Sequence, residues 1–151
     1  MQKETKIILA MVLCLGFVFI ILSSTSFIST LEQHRDYLYA SVGVGESMYP
    51  TIQNRDYLLV QEKNDPDFAL SLGDILVYSR ASVNNPIAHR IVDIKGNTYY
   101  VRGDNTYHIE QVTENQVIGK IYRIIPRGNI VESSLVNIYF TEMSTSSFTM
   151  I

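Results

Sequence analysis

A mostly-β domain, partly barrel-like and preceded by one membrane-spanning helix, is the fold class that this chain predicts. Three observations carry the prediction. An unbroken apolar run lies near the N-terminus, short segments rich in β-branched and aromatic residues follow Tyr37, and turn-forming residues separate them with no long stretch of helical period. The 151 residues suit one anchor and one core, since removing a spanning helix leaves roughly 120 for a single domain. We therefore assign 1–31 to an N-terminal stub and anchor, and 32–151 to a β-rich domain.

The anchor comes first. From Ile7 to Leu22 every residue is apolar or Gly, and Ser23 to Ile28 extend the run with small hydroxyl and apolar side chains. Its length approaches the ~20 residues a bilayer core demands. It exceeds the ~7–15 apolar residues of a cleavable leader, and no Ala-x-Ala site follows it. Lys3 and Lys6 precede the run, whereas Glu32, Arg35 and Asp36 follow with little net charge. Cytoplasmic flanks are enriched in Lys and Arg, so the N-terminus is predicted in the cytoplasm and the remaining domain outside it or in a lumen.

The strands follow in order. Tyr37 to Val44 is rich in β-formers and delivers the chain to a turn at Ser47, because Pro50 cannot occupy a strand interior. Gln53 to Asp56 reads as a turn, Tyr57 to Gln61 as a strand, and Lys63 to Asp67 as a polar loop. A further strand is predicted over Ile75 to Tyr78, then a loop from Ser79 to Pro86. Ile87 to Ile94 alternates and, through Lys95-Gly96-Asn97, forms a hairpin with Thr98 to Val101. Gln116 to Pro126 and Asn129 to Phe140 supply further strand-like runs. The Ser/Thr-rich tail after Glu142 receives no role.

Composition removes several function classes. Net charge is −3 and no basic stripe occurs, which argues against nucleic acid as partner. The single cysteine, Cys14, lies inside the apolar run, so neither a disulfide framework nor a thiolate metal site can be built. His34, His89 and His108 lack ligand-like spacing, so no metal is expected and no cofactor is implied.

The order of a serine turn after the apolar run, a lone His89 and a Gly103-Asp104-Asn105 turn suggests a membrane-tethered serine hydrolase. A serine hydroxyl is a weak nucleophile unless a base lies within hydrogen-bond reach and a third group orients that base. Ser47, in Gly45-Glu46-Ser47-Met48-Tyr49-Pro50-Thr51, His89 and Asp104 supply these residue types. A serine before a turn proline is ordinarily only a turn residue, and a lone strand histidine is ordinarily structural. Gly103-Asp104-Asn105 is itself common turn composition, with the aspartate bonding nearby amides.

Four boxes in one order raise the catalytic reading. Ser47-Met48-Tyr49-Pro50-Thr51, Gly73-Asp74-Ile75-Leu76-Val77-Tyr78, His89-Arg90-Ile91-Val92 and Arg102-Gly103-Asp104-Asn105 resemble the nucleophile, strand, base and final boxes of the type I signal peptidase family. Histidine rather than lysine before Arg90 is similar to its Ser-His branch, found in the endoplasmic reticulum and archaea. The resemblance implies a signal-peptidase-like small β domain and a membrane-bound serine endopeptidase that removes signal peptides from exported preproteins.

By that resemblance Ser47 is the nucleophile and His89 the general base, with activity rising through roughly pH 6–7 as imidazole loses its proton. The orienting carboxylate is either Asp104 or Glu110, because the branch carries a second acid several positions after the Gly-Asp-Asn box. Asp93 is a more remote third candidate. The backbone N–H of Ser47 is the expected oxyanion donor, and a second donor is left open. Val42, Val44 and Met48 are candidate walls of the shallow apolar pockets that take small substrate side chains. Arg90 and Arg102 are expected to brace loops. Partners are preprotein signal peptides and membrane lipid, with room for accessory membrane subunits. Two rival functions stand beside this one: a specialised peptidase for a few secreted substrates, and an inactive membrane-anchored binding or scaffold domain.

Overall fold

The structure is a computed structural model, and it describes residues 11–22, 25, 29, 37–81, 83–129, 132, 134 and 135. The chain divides into a unit Met1–Asp36 and a unit Tyr37–Ile151, taken separately below. In the first, residues 11–22 are helical and their apolar side chains are exposed, Leu13 at 65% and Phe19 at 73%. Among the described residues no helix is long and apolar enough to cross a membrane. Ile7 to Ala10 and most of Ser23 to Ile28, which the expected span includes, lie outside the described residues.

Among its described residues the second unit carries seven strands: β1 (Leu38–Val42), β2 (Tyr57–Glu62), β3 (Ile75–Arg80), β4 (Val83–Lys95), β5 (Thr98–Arg102), β6 (Ile109–Thr113) and β7 (Val117–Ile125). They form one antiparallel sheet in the order β1-β2-β7-β3-β4-β5-β6, open between β1 and β6. The last strand thus returns to the middle and joins the two halves. Register shifts between Leu59 and Val60, between Tyr78 and Arg80, and between Ile91 and Asp93 bend the strands, since an extra residue on one strand strengthens local twist.

Strand β3 explains how the sheet is filled. All four residues Ile75 to Tyr78 are buried, as expected for a strand covered on both faces. Successive side chains point to opposite faces. Ile75 and Val77 join Met48, Ile52, Leu58 and Val60 in one core cluster. Leu76 and Tyr78 join Ile91, Val101, Val112 and Val117 in the other. Each such side chain, fully buried, contributes about 1.5–3 kcal/mol from removal of apolar surface from water.

Several expected elements differ. The predicted loop from Ser79 to Pro86 is largely strand: β3 runs to Arg80 and β4 begins at Val83, with Arg80 paired to Val83. Proline is tolerated there because β5 pairs with β4 only from Arg90 onward, so Pro86 interrupts no ladder on that side. Strand β6 and the 3-10 turn Glu114–Gln116 were not foreseen. In the expected strand Asn129 to Phe140, Glu132, Ser134 and Leu135 are helical, and most of the rest lies outside the described residues.

Candidate active site

Ser47 lies in the connection between β1 and β2, a compact turn closed on itself by backbone bonds. Gly43 N–H donates to Asp56 O at 2.9 Å, Tyr49 N–H to Glu46 O at 3.1 Å and Ile52 N–H to Met48 O at 2.9 Å. Gly45 takes φ +98°, a left-handed conformation that side chains with a Cβ rarely adopt. Met48 and Ile52, 4% and 5% exposed, anchor the turn in the first core cluster. Burial of these two apolar residues fixes where the Ser47 hydroxyl stands.

His89 comes from β4, paired with Leu76 of β3. Paired residues in an antiparallel ladder share a face, so His89 lies on the face of Leu76 and Tyr78. The same rule continues across the sheet: Ile91 pairs with Val101, and Val101 with Glu110. His89, Tyr78 and Glu110 therefore project to one side, and the curl of the sheet brings β3 and β6 together over it.

The resulting contacts are specific. Ser47 Oγ is 3.3 Å from His89 Nε2. His89 Nδ1 is 3.1 Å from the Tyr78 hydroxyl and 3.8 Å from Glu110 Oε1. Tyr78 O–H donates to Glu110 Oε2 at 3.2 Å, and Arg80 NH1 donates to the same oxygen at 3.0 Å. His89 is 7% exposed. Burial holds its imidazole below the ordinary histidine range, because the charged form loses water; Glu110 opposes that shift and Arg80 adds to it. The Tyr78 phenol is pushed above its ordinary range, first by burial and then by the neighbouring Glu110 charge.

Asp104 stands elsewhere. Arg90 holds it with two parallel bonds, Nε to Oδ1 at 2.9 Å and NH2 to Oδ2 at 2.7 Å, and Thr51 Oγ1 donates to Oδ2 at 2.5 Å. The paired guanidinium keeps its carboxyl below the usual carboxylate range. Arg90 also donates to Gly73 O at 2.7 Å, tying three loops together. Next to Asp104, the Asn105 backbone N–H donates to Ser47 O at 2.8 Å and the Asn105 side chain to Glu46 O at 3.1 Å. A Cβ on Gly103 would lie 2.6 Å from Ser47 O and 3.2 Å from His89 Nε2. This loop therefore packs its backbone against the serine turn.

The structure thus brings Ser47, His89 and Glu110 together and places Asp104 in a bracing role beside them. Asp93 pairs with Lys95 at 3.3 Å and does not join the group. Val42, Val44 and Met48 line a cleft of about 340 Å³ that reaches Ser47; Val44 is 88% exposed at its rim, whereas Met48 is core as well as wall. Tyr78 and Arg80 were missed by sequence reasoning. The first reads as one more apolar strand residue, and the second fell in the predicted loop. The signal that was present is parity, since Tyr78 and His89 share a face once β3 and β4 are paired. Among the described residues no cluster of His, Cys, Asp and Glu could hold a metal ion.

A family model described as Peptidase S24-like matches residues 20–122, which contain every residue of this site. No curated protein matches the chain. The sequence resemblance ran to the type I signal peptidases, whereas the match supports the coarser statement of a serine-peptidase-like fold and serine-peptidase-type function. Covering more than half of the chain, and holding a serine hydroxyl against a buried histidine, it leads to one conclusion: the chain belongs to the Peptidase S24-like family.

Proposed function

We propose that this protein is a membrane-tethered serine endopeptidase that removes signal peptides from exported preproteins, with Ser47 as nucleophile and His89 as general base. The observation that carries the reading is the 3.3 Å approach of Ser47 Oγ to His89 Nε2, with the Glu110 carboxylate behind the other ring nitrogen. Ser47 Oγ attacks the scissile carbonyl as Nε2 accepts its proton, and Nε2 then returns the proton to the leaving amine. Water, deprotonated by the same nitrogen, releases the acyl group. The Ser47 N–H makes no hydrogen bond to another described residue, which suits it to receive the developing oxyanion.

Cleft geometry favours an extended substrate. One wall is the outer edge of β1 with Val42, continued by Val44 in the turn after it; the other is Asn85 to Ala88 of β4, where β5 does not pair. Free strand edges accept an added strand through main-chain bonds, and pockets for alternate side chains give selectivity. The apolar run and its exposed helical residues favour a bilayer as the surroundings of the N-terminal segment, with the catalytic domain on the far side from the cytoplasm.

The test is cleavage of a preprotein with an Ala-x-Ala site by the detergent-solubilised full chain. Wild type should cut while Ser47→Ala and His89→Ala each lose roughly 10⁴-fold or more, as when a triad member is removed. A wild-type chain that cuts no faster than Ser47→Ala sinks the reading.

A further inference from the structure

Tyr78 occupies a position that a simple serine–histidine–acid arrangement would not contain. Its ring is 1% exposed in the second core cluster, yet its hydroxyl stands between His89 Nδ1 at 3.1 Å and Glu110 Oε2 at 3.2 Å. The carboxylate itself is beyond hydrogen-bond distance of the imidazole, at 3.8 Å. We propose that Tyr78 is the positioning residue that sets the tautomer of His89, acting as the hydrogen-bonded link through which Glu110 orients the base. This rests on the reading of Ser47 and His89 as nucleophile and base.

The protons available at Tyr78 decide the tautomer. A phenol has one proton to donate and an oxygen that also accepts. Two acceptors compete for the Tyr78 proton: an ionised carboxylate, and a neutral ring nitrogen if Nδ1 is bare. Bonds to a charged acceptor are roughly twice as strong as neutral ones, so the proton goes to Glu110. The Tyr78 oxygen then faces Nδ1 with lone pairs only. A bare Nδ1 would be left without a donor in a buried site, whereas an Nδ1–H donates to that oxygen. The tautomer selected is therefore the one in which Nε2 is free to accept the Ser47 proton. Arg80 supports the arrangement from the outside, since its bond to Oε2 fixes the carboxylate that Tyr78 addresses. No proton passes to Glu110 at any stage; its charge selects the tautomer through the orientation of the phenol and, separately, favours the imidazolium through space.

The full-length chain, solubilised in detergent and labelled with ¹⁵N-histidine, tests this in wild type, Tyr78→Phe and Glu110→Gln. The two ring nitrogens differ widely in ¹⁵N shift according to which bears the proton, and the His89 signals are identified by their loss in His89→Ala. Wild type should show Nδ1–H in the neutral ring. Tyr78→Phe, which keeps the ring that fills the core, should populate the Nε2–H form, and Glu110→Gln should move in the same direction. In parallel, the rate at which a fluorophosphonate phosphonylates Ser47, an O–P bond forming as fluoride leaves, should fall roughly tenfold in Tyr78→Phe, about the worth of one hydrogen bond. Combining the two substitutions should cost little more than either alone, because both break one link. Retention of Nδ1–H in Tyr78→Phe overturns the proposal. A wild type that the fluorophosphonate does not label defeats the peptidase reading instead, and the tautomer comparison still decides the role of Tyr78.

Discussion

Two acidic clusters lie near His89, and they are built from the same kinds of parts. Asp104 is held by Arg90 and Thr51, and Glu110 by Arg80 and Tyr78; each has one carboxylate, one arginine and one hydroxyl. They differ in what is left over. Both Asp104 oxygens are taken up by the bidentate arginine and the threonine, and its loop uses backbone atoms to grip the Ser47 turn. Glu110 spends Oε2 on Tyr78 and Arg80, leaving Oε1 directed at the imidazole 3.8 Å away. One carboxylate thus acts on the site by fixing shape, and the other by charge. Residue type alone does not separate these roles; the partners do.

Shape should prove the more costly to disturb. Gly103→Ala sets a methyl carbon 2.6 Å from the Ser47 carbonyl oxygen and 3.2 Å from His89 Nε2, and retreat of the first displaces the nucleophile while retreat of the second displaces the base. Displacement of reacting groups by about 1 Å costs roughly 100-fold, so kcat/KM should fall by at least that much. The bracing account expects the same variant to leave the pH profile of the residual activity in place, because no charge has changed. A Gly103→Ala enzyme with full activity would show that the Asp104 loop is a spectator.

Charge comes next, and here the two acids part. Glu110→Gln keeps the size of the side chain and removes the charge that orders Tyr78 and His89, so kcat should drop on the order of tens of fold with little change in KM. Asp104→Asn should leave kcat within about threefold and instead reduce stability by about 1 kcal/mol, since a partly exposed bidentate pair is modest in value. Denaturant midpoints read beside initial rates separate the two effects. If Asp104→Asn loses the chemistry and Glu110→Gln keeps it, the roles assigned from geometry are reversed.

The sequence exposes one side of this contrast better than the other. Ser47 and His89 stand in local patterns that mark them, and strands β2, β5 and β7 follow from alternation and turn residues alone. Strand β6 did not, because Ile109-Glu110-Gln111-Val112-Thr113 offers only two apolar residues, three positions apart, and so no alternation. Without β6 the face on which Glu110 projects cannot be assigned, which is why Asp104 and Glu110 could not be told apart. Tyr78 was hidden for a different reason. Four consecutive buried residues read as core, and only pairing with β4 shows that one of them carries a hydroxyl to the histidine. Asp104, in its turn motif, was visible by composition but not by role.

The smallest effect gives the finest comparison of the two acids. His89 must be neutral to accept the Ser47 proton, so activity is lost as pH falls through its folded-state pKa. Burial lowers that pKa, and the acid limb of kcat/KM should therefore lie below the ordinary histidine value of about 6.5, rather than across pH 6–7 as the sequence alone suggested. Glu110 and Asp104 both favour the imidazolium and hence raise the pKa, Glu110 the more strongly, while Arg80 lowers it. Removing a carboxylate charge makes protonation harder. The limb should accordingly move to still lower pH in Glu110→Gln, and by a lesser amount in the same direction in Asp104→Asn. An upward shift in either variant would mean that the lost charge was not acting on His89 through space, and a larger shift in Asp104→Asn than in Glu110→Gln would make Asp104 the electrostatic partner after all.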